Sequence, residues 1–147
     1  MTTKAAAPVV NVEYLKMLQS VVDRLAHNSF QTKNWSVGLA AAILALGSLP
    51  SRATTCVLAF FPAICFAALD IYYLRQERLF RALYRAAAAG IAHEFSMDTR
   101  PYKDKTTSLG AVIKSPALWL VHGAIMVLIA LVVIAAFTIL SSAKGAN

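Results

Sequence analysis

The chain has 147 residues, of which 59% are hydrophobic and only 14% charged, with a formal charge of +7. Soluble domains carry about 25% charged residues, so this composition sets the chain apart from them, while its length suits one domain. The positive surplus leaves lipid headgroups or nucleic acid as its natural anionic partner, and the distribution of the apolar residues decides between the two.

Residues 1–10 carry no periodic pattern and read as a disordered N-terminus. Asn11 is a good helix cap, and Glu13 stands in the first turn that would follow it. From there Tyr14, Met17, Leu18, Val21, Val22 and Leu25 make one apolar stripe at helical spacing. Lys16, Asp23, Arg24, His27 and Gln31 make the polar one. No Gly or Pro interrupts this segment before Trp35, an interface-type residue at the start of an uncharged run, Asn34 to Leu49. A second uncharged run covers Cys56 to Leu69. Extended to their polar ends, at about 33–49 and 55–74, the two approach the ~20 residues that a membrane span needs. They are joined by Leu49-Pro50-Ser51-Arg52-Ala53-Thr54-Thr55, a compact turn. An antiparallel transmembrane hairpin is expected; the competing reading is a buried core hairpin in a soluble protein. Cys56 and Cys65 would lie about 13 Å apart on one helix, beyond disulfide reach. Pro62 would free the carbonyl of Leu58 and bend the second span.

The second helix is expected to continue past the span over 75–90. On it Arg75, Arg78, Arg81 and Arg85 share an arc of about 120°, with Tyr72, Leu79, Phe80, Leu83 and Tyr84 opposite. Glu77 can pair with Arg81 at i,i+4, and Gly90 offers a stop. A basic connector follows over 91–115, then Pro116 to Leu140, 25 residues without a charge. As a helix that run is roughly 37 Å long, enough to cross ~30 Å of hydrocarbon at a tilt. The third span is set at 116–141, with a tail at 142–147.

Of the 14 Lys and Arg residues, all but Arg52 and Lys144 fall before or at the start of the first span or between the second and third spans. The positive-inside rule therefore puts the N-terminus and the connector in the cytoplasm. The first apolar run begins too late for a secretory signal. The expected fold is all-α: an integral membrane bundle of three transmembrane helices, the first two extended into the cytoplasm as long amphipathic helices whose stripes pack together.

Asp70 stands about one turn inside the polar end of span two. In the hairpin it lies level with Ser36 and within reach of Lys33, and a Lys33–Asp70 contact would lock the hairpin's base. A functional carboxylate is the alternative, since intramembrane acids are functional candidates. Gly38, Ala41, Ala42 and Ala45 on span one, and Ala59, Ala63 and Ala67 on span two, allow close helix approach within the hairpin or between copies. His122, one turn from Trp119, reads as an interfacial hydrogen-bonding group, with a gate or proton site as the sharper alternative. His93-Glu94 lacks the HExxH pattern and Asp98 adds no recognised metal spacing. With no phosphate loop, dinucleotide fingerprint, nucleophile elbow or catalytic carboxylate pair, neither an enzyme nor a cofactor is expected. Direct nucleic-acid binding is not expected either: the basic residues are interleaved with membrane-proximal apolar faces.

The strings "LKMLQSVVDRLAHNSFQTKNW", "LDIYYLRQERLFRALY" and "FSMDTRPY" resemble a group of small bacterial membrane proteins similar in plan to SLATT-type proteins. Those pair a cytoplasmic helix with a transmembrane hairpin, and the third span departs from that plan. The resemblance implies the bacterial inner (cytoplasmic) membrane and a homo-oligomeric, membrane-disrupting or pore-forming effector of anti-phage defence. It also implies control by a small nucleotide signal or a protein regulator. Arg75, Arg78, Arg81 and Arg85 make the basic face that could receive it; the competing reading is that they set topology and attract anionic headgroups. The alternative is a non-catalytic accessory or scaffold subunit of a larger membrane complex.

Overall fold

A computed structural model of the chain describes residues 11–47, 53–93, 95–104 and 108–145. The expected disordered N-terminus, most of the hairpin turn with Arg52, and the last two residues of the tail lie outside them.

The described residues are helical throughout their regular structure, with no strand. α1 is a single helix, Val12–Gly47, 36 residues long. Asn11 caps it, the side-chain oxygen accepting from the backbone N–H groups of Glu13 (3.1 Å) and Tyr14 (3.2 Å). After the turn, a 3₁₀ segment, Ala53–Ala59, leads into α2, Phe60–Ala88. Pro62 falls in the first turn of α2, where a missing N–H costs no helical hydrogen bond. The helix type changes from 3₁₀ to α just before it. α2 ends as a Schellman cap: Ile91 N–H donates to Ala86 and Gly90 N–H to Ala87, with Gly90 at φ 69°. Beyond a 3₁₀ turn, Arg100–Tyr102, comes α3, Leu109–Ile113, capped by Ser108. The third rod is built in three pieces: α4, Pro116–Leu118; a π-helical turn, Trp119–Gly123; and α5, Ala124–Gly145.

α1 and α2 lie antiparallel along their whole length. Gly47 meets Cys56 at the turn, Lys33 reaches Asp70 in the middle, and Tyr14 and Leu18 cluster with Leu83 and Ala87 at the far end. The third rod runs antiparallel to α2, with Ile125 and Ile129 packed against Ala40, Ala59 and Ala63. This close-packed end depends on small side chains. A Cβ on Gly47 would run into Cys56 Sγ and come 3.0 Å from Cys56 N, and Ala59 and Ala63 are fully buried. The small residues of α1 divide differently from expectation. Ala40 and Gly47 face the partner helix, whereas Gly38 and Ala42 are exposed, and a Cβ on Gly38 would meet nothing. Ala67 is half-buried. On α2 the aromatic stripe loses Tyr72, which is exposed, and keeps Leu79 and Leu83 as its buried centre.

The connector is more ordered than a linker. The Tyr14 hydroxyl donates to the Ser96 carbonyl, and its ring lies 5.8 Å from that of Phe95. Tyr102 and Ala92 pack on the same cluster. Burial, with a smaller contribution from Tyr102, pushes the Tyr14 phenol above its ordinary 10.0. Asp98 grips Arg100 through both carboxylate oxygens, at 2.9 and 3.1 Å.

Among the described residues two helices are long and apolar enough to cross a membrane, Thr54–Ala88 and Pro116–Ser142. Their outer faces are uncovered: Phe61, Leu120, Leu131, Ile134 and Ile139 are all exposed.

Candidate functional site

The most unusual feature of the interior is a polar cluster at the middle of the hairpin. Asp70 is fully buried, a position that a carboxylate tolerates only when its oxygens are paired. Here both are. Lys33 Nζ lies 2.8 Å from Oδ1 and 2.7 Å from Oδ2. Ser29 Oγ donates to Oδ1, and His122 Nε2 lies 3.1 Å from Oδ2. Lys33 also donates to Ser29 Oγ at 2.8 Å, so the α1 side of the cluster is itself a small ring.

Each partner is delivered by helical geometry. Ser29 and Lys33 are four residues apart on α1 and lie one above the other on the face turned to α2. Thr32 and Ser36 continue that buried polar face, Thr32 bonding the Asn28 carbonyl at 2.8 Å. His122 arrives from the third rod at its π-helical turn, a form that often accompanies a functional or strained position. Above it the Trp119 indole N–H reaches back to the Ile113 carbonyl at 2.6 Å, fixing how the rod begins.

The chemistry follows from the contacts. With a carboxylate oxygen on Nε2, the imidazole donates from that nitrogen, which leaves Nδ1 as an acceptor in the neutral ring. His122 Nδ1 and Ser36 Oγ are buried without a hydrogen-bond partner. Lys33 and Asp70 offset each other's charge, and His122 adds a contact from the third rod, so the cluster acts as a clamp joining three helices. The structure therefore brings together Lys33 and Asp70 and adds two partners that the sequence did not single out in this role. Ser29 had only its polarity to show. His122 was visible as a polar residue in an apolar run and was expected to make a hydrogen bond; the structure gives it a partner in Asp70 and buries the imidazole.

The arginines form a second, separate feature. Arg78, Arg81 and Arg85 line a groove of about 540 Å³ between α1 and α2, with Gln19, Val22 and Tyr84; Arg75 is not part of its wall. Glu77 holds Arg81 through Nε (2.8 Å) and a terminal nitrogen (2.7 Å). Among the described residues no group of three or more His, Cys, Asp and Glu is placed to hold a metal ion. A smaller apolar groove of about 320 Å³, bordered by Ile64, Ile71, Trp119 and His122, lies between α2 and the third rod.

Compared with known proteins, the chain matches no family model, no curated protein and no solved structure.

Proposed function

We infer that the chain is an integral membrane protein of three spans in a bacterial cytoplasmic membrane, with its N-terminus and connector in the cytoplasm. It works as a homo-oligomeric effector that permeabilises the bilayer under control of its cytoplasmic helices. The observation that carries this reading is the contrast between inside and outside. The apolar faces of Thr54–Ala88 and Pro116–Ser142 are uncovered, whereas the buried acid Asp70 is turned inward and neutralised. Contiguous apolar surface of this extent marks a lipid or protein contact, and a paired interior carboxylate suits a low-dielectric surround. The aromatic residues Trp35, Tyr72 and Trp119 are exposed near the level of Asp70, as an interfacial belt would be.

Assembly into several copies is supported by Gly38 and Ala42, small residues that the hairpin leaves facing outward. Among the described residues one copy offers no polar stripe with which to line a pore, because the buried polar groups of the middle gather around Asp70. The effector role comes from the resemblance of the three quoted strings. Purification in detergent with mass determination, paired with a membrane-potential dye during expression, tests it. Several copies per particle and a falling potential are expected. A monomer with an unchanged potential contradicts the reading, and a stoichiometric foreign subunit assigns the exposed faces to an accessory role instead.

A further inference from the structure

We propose that the groove between α1 and α2 lined by Arg78, Arg81 and Arg85 is a binding site for a phosphate-bearing ligand. Three arginines border one concavity over about 10 Å of helix axis, room for more than one phosphoryl group. Guanidinium recognises phosphate oxygens with paired N–H donors, which makes arginine the side chain suited to that chemistry. Arg81 is held beside the groove by Glu77 instead of ranging through solvent, so less of its freedom is lost on binding. Four arginines lie between residues 75 and 85; among the described residues Glu77 bonds Arg81, and Asp23 on α1 accepts from Gln19 at 2.9 Å. Val22 and Tyr84 complete the wall with an apolar patch and a ring, which suits an ester group carried on the phosphate.

The site lies about 12–22 Å along α2 from Asp70. Under the three-span reading, on which this placement rests, that is the level of the lipid headgroups and the water just beyond them. The phosphate can therefore belong to an anionic phospholipid or to a soluble phosphate ester, and the test separates the two. Pyrophosphate is titrated calorimetrically into the detergent-solubilised chain, and the chain is partitioned between nanodiscs of phosphatidylglycerol and of phosphatidylcholine. R81Q/R85Q is compared with K103Q/K114Q, which removes the same charge elsewhere, and circular dichroism checks that each variant is helical. If the double variant fails to fold, R85Q alone carries the comparison.

Saturable pyrophosphate binding that weakens at least tenfold in R81Q/R85Q, and not in the control, supports the site with a soluble ligand. A preference for phosphatidylglycerol lost only in R81Q/R85Q supports it with a lipid headgroup. If neither probe separates R81Q/R85Q from the unaltered chain, or the control loses as much, the proposal is overturned. A monomer with an unchanged membrane potential would sink the effector reading and leave this binding result standing.

Discussion

His122 Nε2 lies 3.1 Å from Asp70 Oδ2, joining residues 52 positions apart on different rods. Much of what else holds the third rod to the hairpin is apolar packing, Ile125 and Ile129 on alanines. In a bilayer such packing gains little from the hydrophobic effect, because lipid tails are as apolar as the helices. A directional polar contact is what sets the rotation and depth of the third rod. Replacing His122 with Ala should cost about 1–3 kcal/mol, the range for leaving a buried hydrogen-bonding group unpaired. Cross-linking between cysteines placed on α2 and α5 would show the rod loosened, with α1 and α2 still paired.

Asp70 and Lys33 should show strong non-additivity. Removing one member of a buried pair strands the other and costs about 3–5 kcal/mol, whereas replacing both with apolar residues is often close to neutral. Lys33 keeps 18% of its side-chain surface exposed, so K33M belongs at the lower end of that range. D70L belongs at the upper end, because it strands the Lys33 ammonium and also leaves Ser29 and His122 without their acceptor. Thermal unfolding in detergent of K33M, D70L and K33M/D70L closes the cycle. Equal, additive losses would mean that the contact contributes nothing beyond its separate residues.

Close approach at the turn gives a third prediction. G47A should lose about 1–3 kcal/mol through overpacking against Cys56, since the new methyl would meet both the sulfur and the backbone nitrogen. C56A should recover part of that loss by removing the sulfur. G38A should raise monomer stability by about 0.5–1 kcal/mol, because alanine is the better helix former and its Cβ would enter open space. If G38A instead weakens the oligomer in sedimentation, its outward face is an interface between copies.

The hairpin was legible because it is a problem in one dimension. A tight turn and a rise of 1.5 Å per residue are enough to put Lys33 across from Asp70. The caps at Asn11 and Gly90 were equally local. Helix rotation was not so readable. Span one carries small residues on every side (Gly38, Ala40, Ala41, Ala42, Ala45, Gly47), and nothing in their spacing says that Ala40 and Gly47 face inward while Gly38 and Ala42 do not. The third span has no charge and little amphipathicity, so the direction of His122 was undetermined. The docking of 95–102 depends on a tyrosine hydroxyl meeting a backbone carbonyl, a contact that leaves no pattern in the sequence.

The connector supplies a pH prediction. Arg100, through side-chain and backbone hydrogen bonds, lowers the Asp98 carboxyl from 3.8 to about 2. A depressed carboxylate contributes stability above its unfolded value and loses it as the pH falls through the folded one. The Asp98–Arg100 turn should therefore stay intact at pH 4 and open between about pH 4 and pH 2. Carboxyl-carbon NMR would follow the titration, and R100Q should return Asp98 toward its ordinary value. A midpoint near 4 in the unaltered chain would contradict the observed pairing.

The most direct test of the central claim, a three-rod bundle crossing the bilayer, is the sidedness of single cysteines. Cys56 and Cys65 are replaced by alanine, and one new cysteine is placed at Arg85 or at Ser141. A membrane-impermeant thiol reagent is then applied to intact cells and to inverted vesicles. The account predicts that R85C reacts only in inverted vesicles and S141C only in intact cells. Reaction of both from the same side, or a chain that stays dispersed in buffer without detergent, would contradict it.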